Sequence, residues 1–410
     1  MDPIHNPYAP GAGYPPPELA GRKKLRDQAG IALGRLRIGR SAKSLILVGL
    51  RGVGKTVLLD QLRSDAEAAG ICTVRSETPE NRSLPALLAP QIRLALLHLN
   101  RVEAAREAVS RGLRALAGFA RALKVRYGDL EVGFDAQPEP GLADNGDLEI
   151  DLTALLEQVG RAAQSAGTAV VLFFDELQYI PQDQFAALIA ALHRCAQLQL
   201  PVTVVGAGLP QLRVLAGDAK SYAERLFDFA TIGPLTVLPG PDGSISEAEL
   251  ALRKPATDAG VEFTADAVAE ILLQTRGYPY FLQEWGKSAW DVAQNSPITL
   301  TDVRQASIEA VAALDESFFR VRFDRLTPKE KRYLRAMADL GEGPHRSGDI
   351  AAVLGKPVHA YGTIRQELIN KGMIWSPSHG DTAFTVPLFD QFMNRIMPGT
   401  DWRIEEERPR

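Results

Sequence analysis

Gly49-Leu50-Arg51-Gly52-Val53-Gly54-Lys55-Thr56 follows the apolar run Leu45-Ile46-Leu47-Val48 and leads into Val57-Leu58-Leu59-Asp60-Gln61-Leu62. The order is strand, glycine-rich loop, helix, with the spacing G-x-x-x-x-G-K-[ST]. Such a loop wraps backbone N–H groups around a polyphosphate at a helix N-terminus, where the helix dipole favours negative charge. Gly49, Gly52 and Gly54 allow close backbone approach and positive φ, and Val53 and Val57 complete the nucleotide-binding run. Lys55 is expected to reach the β- and γ-phosphates and the Thr56 hydroxyl to ligate Mg²⁺.

The bulk composition bounds what surrounds this loop. The 410 residues are 45% hydrophobic and 23% charged, which describes a globular chain of two or three domains. The formal net charge is −4, so a nucleic-acid contact requires a local basic patch. Cys72 and Cys195 stand in unrelated settings, which fits neither a metal motif nor a disulfide framework and agrees with a reducing compartment. His193 and Cys195, two apart on an expected helix, point to different faces and do not suggest zinc. No apolar run approaches the ~18 residues of a membrane span. Met1-Asp2-Pro3-Ile4-His5 lacks a secretory pattern. The expectation is a cytoplasmic protein without membrane contact.

Along the chain, residues 1–17 are rich in Pro, Gly and Ala and read as extended. Helical character begins near Glu18. A strand at 44–48 precedes the loop; a helix to about Gly70 and a short strand at 71–74 follow. Residues 84–123 are helical in pattern, with Asn100 and Gly112 as expected breaks. Residues 128–151 are acidic without Lys or Arg. They read as a solvated loop with a short hairpin around Lys124–Phe134, or as a regulatory insert. Helix 152–166, the continuous apolar strand Ala169–Phe174, helix 182–199 and strand 202–205 alternate as in a doubly wound parallel sheet. A last strand is expected at 230–233. Beyond Pro241-Asp242-Gly243, helices are expected at 246–259, 264–275, 279–294 and 300–320, with Thr264 and Thr301 as N-caps. From Leu326-Thr327-Pro328 onward, three helices (capped by Thr327, then 347–354 and 358–370) precede a hairpin at 373–376 and 382–386 around Ser378-His379-Gly380-Asp381. That order is a winged helix-turn-helix, closed by a helix at 387–397.

A second group of candidate residues stands at the end of the strand 169–174. Asp175 there is expected to hold Mg²⁺ through water, and Glu176 to act as general base on the attacking water. After the strand 202–205 comes Gly206-Ala207-Gly208, where related enzymes place a polar residue facing the γ-phosphate. Either Gln211 substitutes or the contact is missing. Arg225 precedes the last strand. It is read as a finger reaching a neighbouring subunit's γ-phosphate, or as an intrachain partner of Glu224 or Asp228. Arg276-Gly277-Tyr278-Pro279-Tyr280 joins two helices, with Pro279 at the first helical position. It is either a nucleotide-sensing corner or an ordinary turn. In the last unit, His359, Tyr361, Arg365 and Lys371 are candidates for contact with double-stranded DNA. Acidic and basic residues there are nearly balanced, so a protein-binding winged helix stays open.

These motifs resemble the AAA+/STAND superfamily, specifically the archaeal-type, origin-recognition-like ATPases. Gly49–Thr56 is similar to its Walker A loop and Phe173-Phe174-Asp175-Glu176-Leu177-Gln178 to its Walker B segment. Pro17-Glu18-Leu19-Ala20-Gly21-Arg22 is similar to its adenine-contacting box, which assigns Gly21 and Arg22 to the nucleotide. Gly277-Tyr278-Pro279-Tyr280 resembles its lid motif. The resemblance implies an N-terminal segment plus AAA+-like nucleotide-binding α/β domain over 1–240, an all-helical lid over 241–325 and a winged helix-turn-helix over 326–410. It further implies ATP and Mg²⁺ as cofactors, ATP hydrolysis and a nucleotide-dependent homo-oligomer. Two departures, the missing polar residue at 206–208 and the displaced lid arginine Arg276, imply a slow switch rather than a motor. The switch acts on DNA through the winged helix, or as a STAND-like signalling scaffold whose winged helix binds protein.

Overall fold

The computed structural model describes residues 1–11, 13–78, 83–125, 137–241 and 243–403. The chain divides into two compact units. One comprises Arg22–Gly49 and Lys55–Ile232. The other comprises Met1–Gly21, Leu50–Gly54 and Gly233–Arg410.

In the first unit, helix α1 (Lys23–Arg37) is followed by β1 (Ser44–Val48), α2 (Lys55–Ala68) and β2 (Cys72–Glu77). Next come α3 (Leu84–Leu99), α4 (Arg106–Ala122), α5 (Leu148–Ser165) and β3 (Val170–Asp175). The unit ends with α6 (Gln182–Gln197), β4 (Val202–Gly208), α7 (Leu212–Ala219), α8 (Ala223–Leu226) and β5 (Phe227–Thr231). Among the described residues, these five strands form one parallel sheet in the order β2-β3-β4-β1-β5. β3 and β4 are buried along their whole length, which is why their residues are apolar without alternation. Where polar side chains enter this layer they satisfy each other, as Ser44 and Thr203 do at 3.0 Å between β1 and β4. The doubly wound parallel sheet expected from the sequence is therefore present.

Local differences have local causes. Gly112 lies inside α4, not at a break. A Cβ there would stand 2.8 Å from the Leu96 side chain, so this glycine lets α3 and α4 approach rather than ending a helix. α6 stops at Gln197, because Gln199 turns into the left-handed region with φ +53°. β4 runs three residues beyond its expected end, since Ile46 and Val48 of β1 continue to pair with Gly206 and Gly208. β5 begins at Phe227, paired with Ser44, earlier than its composition suggested. The expected hairpin at Lys124–Phe134 falls largely on 126–136, outside the described residues. Of the acidic stretch that follows, Asp147 caps α5 by accepting from the Ile150 N–H. The buried Asp151 accepts from the N–H groups of Asn145 and Gly146, so these carboxylates order the turn into α5.

The second unit carries α9 (Glu247–Asp258), α10 (Ala265–Thr275), α11 (Pro279–Val292) and α12 (Leu300–Leu314). Thr299, not Thr301, caps α12, because it alone completes a reciprocal capping box with Asp302. α12 passes through a π-helical turn, Asp315–Phe319, into α13 (Arg320–Phe323). The N-terminal segment lies on these helices: Tyr8 is buried and its hydroxyl donates to the Leu252 carbonyl, and the Trp290 indole donates to Asp2. α14 (Pro328–Asp339) starts at a capping box of Thr327 and Glu330. β6 (His345–Arg346), α15 (Ser347–Leu354), a short 3₁₀ turn Val358–Tyr361, α16 (Gly362–Asn370), β7 (Ile374–Trp375), β8 (Asp381–Phe384) and α17 (Phe389–Ile396) complete it. The strands pair antiparallel in the order β6-β8-β7. Three helices and this small sheet have the order of a winged helix-turn-helix, packed on Phe319, Phe389 and Phe392.

Candidate functional site

In an open parallel sheet, residues just past the strand C-termini converge where the strand order reverses. Here β1 stands between β4 and β5, and β3 lies beside β4, so Gly49 and Asp175 both emerge at that edge. The Gly49 N–H donates to the Gly208 carbonyl at 3.2 Å. Lys55 opens α2, is buried, and donates from Nζ to the Gly49 carbonyl at 3.0 Å. The Thr56 hydroxyl donates to Asp175 Oδ2 at 2.6 Å. Burial pushes the Asp175 carboxyl above its ordinary value. The Thr56 hydrogen bond pulls it back, the neighbouring Glu176 charge adds to the rise, and Lys55 opposes it.

Glu176 follows in the left-handed region, φ 55° and ψ 42°. A non-glycine residue held there costs of order 1–3 kcal/mol and marks a position whose side chain is aimed by its surroundings. Its N–H donates to Asp175 Oδ1 at 2.9 Å, and Gln178 donates from Nε2 to Glu176 Oε2. The Gln178 carbonyl oxygen in turn accepts from the Leu209 N–H at 3.1 Å. Gln178 stood in the motif stretch without an assigned role. The signal that could have found it was Gly208, whose missing side chain leaves room for it, as Gly206 leaves room for Leu177. Gln211 heads α7 with Oε1 buried and unpartnered.

The hydroxyl of Thr56 and the carboxylate of Asp175 form a hard, all-oxygen donor pair. Mg²⁺ characteristically takes one or two such protein ligands and completes its shell with water and phosphate oxygens. The residues present fit that ion.

Gly52 and Gly54 have φ of +78° and +85°, as a loop that turns its N–H groups inward requires. Within the second unit, the Gly52 carbonyl accepts from the Tyr280 N–H at 3.2 Å and the Arg51 N–H donates to the Thr385 carbonyl at 3.0 Å. Val53 is buried; Val57 is half-buried on α2. Pro279 occupies the first position of α11. Gly21, with φ +68°, packs against the Glu247 carboxylate, which a Cβ would approach to 2.6 Å. Arg22 stands at the N-cap of α1. Arg276 pairs with Glu342. Arg225 is exposed on α8 and, among the described residues, forms no ion pair with Glu224 or Asp228.

The winged-helix candidates are placed differently. His359 is exposed. The Tyr361 hydroxyl donates to the Leu354 carbonyl at 3.2 Å. Arg365 spans to the hairpin, donating to Thr382 Oγ1 at 2.9 Å, Ser376 Oγ at 2.7 Å and the Asp381 carbonyl at 3.0 Å. Lys371 binds Glu330 Oε2 at 2.7 Å. Burial alone would raise the Glu330 carboxyl, but Lys371 and Thr327 outweigh it and hold it below the ordinary carboxylate range. Among the described residues, no group of three or more His, Cys, Asp or Glu side chains is placed to hold a metal, and no helix is long and apolar enough to cross a membrane.

Comparison with known proteins agrees with this geometry. Residues 18–205 match the AAA ATPase domain family, and residues 316–393 match a domain of unknown function (DUF8462). No curated protein sequence matches the chain. The Walker-type ATPase PABY2304 of Pyrococcus abyssi superposes with a TM-score of 0.58 at 14% identity, covering 92% of this chain and 96% of that one. The Orc1 protein of Aeropyrum pernix, solved in complex with DNA, gives 0.43 at 15% identity, covering 93% and 94%. The RuvB branch migration motor of Thermotoga maritima gives 0.42 at 15%, covering 89% and 92%. These findings agree with the resemblance read from the motifs: residues 18–205 match an AAA ATPase domain, and the chain shares its fold with an archaeal Walker-type ATPase.

Proposed function

We propose that this AAA ATPase domain binds Mg·ATP at Gly49–Thr56 and hydrolyses it slowly, acting as a nucleotide-driven switch. The observation that carries this is the convergence of Lys55, Thr56 and Asp175 at one sheet edge, with Glu176 held beside them. Gly49, Gly52, Val53, Gly54 and Val57 line the phosphate loop, and Gly21, Arg22 and Pro279 contact the rest of the nucleotide. Lys55 neutralises the β- and γ-phosphate oxygens. Thr56 and Asp175 would hold the metal, which would supply charge neutralisation at the phosphates. A Glu176 carboxylate oxygen takes the proton of the attacking water. Slow turnover is supported by the engagement of Arg276 with Glu342, which keeps the lid arginine occupied. The working parts are the α/β domain over 1–240, the lid over 241–325 and the winged helix over 326–410. Arg225, exposed and without an ion pair among the described residues, serves a neighbouring copy in an ATP-dependent homo-oligomer.

The test is Glu176→Gln. It should retain ATP binding while phosphate release falls by about 10²–10⁴-fold, the usual contribution of a general base. Undiminished release rejects the assignment.

The switch acts on double-stranded DNA through the winged helix, or on a protein. One observation favours protein. Arg365 is bonded to the hairpin and the exposed Lys371 is paired with Glu330, and the exposed positions of α16 are Gly362, Thr363, Gln366, Glu367 and Asn370. That face offers hydrogen bonds but no cation for phosphate neutralisation. Titration of a labelled duplex at low salt with ATP present separates the two. Binding that weakens steeply with salt supports DNA, and no binding leaves the protein reading.

A further inference from the structure

The γ-phosphate end of the site carries an arrangement that the motif pattern does not contain. β4 ends in Gly206-Ala207-Gly208, so no polar side chain comes from the C-terminal end of the strand between β1 and β3. The two glycines are not vacant positions. A Cβ on Gly206 would stand 2.2 Å from the Leu177 side chain, and a Cβ on Gly208 would stand 2.7 Å from Gln178 Oε1. The turn after β3 occupies the space that side chains at these positions would need. Gln178 thereby lies across the end of β4, bonded on one side to Leu209 and on the other to Glu176.

The orientation of this amide follows from chemistry. The Leu209 N–H can only donate, so it faces the Gln178 oxygen; the amide NH₂ then faces the Glu176 carboxylate, which can only accept. The reversed amide would oppose two donors and two acceptors. Leu209 is fully buried, and its residue neighbour Gly208 is held to Gly49 and paired with Val48. Gln178 therefore ties the Glu176 carboxylate to the rigid sheet edge where the phosphate loop begins.

We propose that Gln178 is a positioning residue for hydrolysis: it fixes the Glu176 carboxylate toward the attacking water and replaces, from the β3–α6 turn, the polar contact that β4 lacks. The proposal rests on the reading of Glu176 as general base. Loss of the amide removes the tie that holds this carboxylate to the sheet edge, and a misplacement of about 1 Å in such a group costs about 10²-fold in rate.

The experiment compares Gln178→Leu, Gln178→Glu and Glu176→Gln in the full chain, each checked for ATP binding and thermal unfolding. Gln178→Leu keeps the approximate shape and removes both hydrogen bonds; kcat should fall about 10²-fold with KM for ATP unchanged. Gln178→Glu keeps the size and the Leu209 bond but sets a second carboxylate against Glu176. Repulsion between the two carboxylates displaces Glu176 from the place where the amide holds it, so kcat should again fall about 10²-fold with KM for ATP unchanged. A purely structural glutamine would change stability and leave kcat at the parent value. A parent-like kcat in Gln178→Glu, with Glu176→Gln inactive, overturns this proposal alone. This holds even if Gln178→Leu fails to fold. If Glu176→Gln turns over like the parent chain, the base assignment fails and the proposal falls with it.

Discussion

At the end of β3 and the start of α2, polar side chains converge on one another: Thr56 meets Asp175, Lys55 folds onto the loop, and Gln178 reaches Glu176. In the winged helix, Arg365 and Lys371, which looked ready to meet a partner, are engaged within their own unit. Arg365 clasps the hairpin through three hydrogen bonds and Lys371 neutralises a carboxylate with no exposed surface. The same residue types thus serve opposite ends. Near the phosphate loop, burial and close neighbours prepare groups for a ligand. On α16 the cations satisfy polar groups of their own unit. A basic residue on an expected recognition helix is therefore not evidence of a nucleic-acid contact until its partners are known.

The comparison can be broken at either region. The largest effect is expected at the loop. Lys55→Ala should weaken ATP binding by about 30-fold or more, the 2–5 kcal/mol typical of a lost buried charge pair, with little change in the thermal midpoint of the chain without nucleotide. Equilibrium binding of a fluorescent ATP analogue checks this, and retained affinity would remove the lysine from the site. Next, Lys371→Ala should destabilise the winged helix by about 2 kcal/mol near neutral pH, because Glu330 loses its charged partner while remaining buried. Glu330 is depressed in the folded state, so its contribution is present above the unfolded carboxyl value of 4.5 and is lost as pH falls below it. Denaturation of parent and variant should converge on acidification, and a pH-independent difference would contradict the pairing. The smallest effect is Arg365→Ala, about 1 kcal/mol, since two of its three partners, Ser376 and Asp381, stay accessible to water. If instead it abolishes duplex binding without touching stability, the contrast between the two regions is wrong and α16 reads DNA.

Much of this was legible before any tertiary contact was known. The G-x-x-x-x-G-K-[ST] spacing, the apolar run into Asp175-Glu176 and the helix-helix-helix-hairpin order at the C-terminus are local patterns, and each produced the element expected. The misjudged details divide between distant neighbours and local geometry. Gly112 looked like a helix break because the chain alone does not reveal Leu96 against it. Thr301 looked like a cap because reciprocal bonding of Thr299 and Asp302 is a matter of geometry. The glycines at 206 and 208 read as a missing contact because the chain alone does not show Leu177 and Gln178 of the turn after β3 filling their places.

What the amino-acid sequence determined by itself was the existence of a phosphate loop, the carboxylate pair that accompanies it and the doubly wound sheet that carries both. Backbone conformation and the burial demands of continuous apolar strands act over a few residues. What only tertiary structure decided was the destination of each polar side chain. Thr56 and Asp175 meet because β3 lies beside β4 and β4 beside β1. Arg365 turns to Thr382 and Lys371 to Glu330 because a buried or half-buried polar group is driven to whichever partner the fold brings within reach.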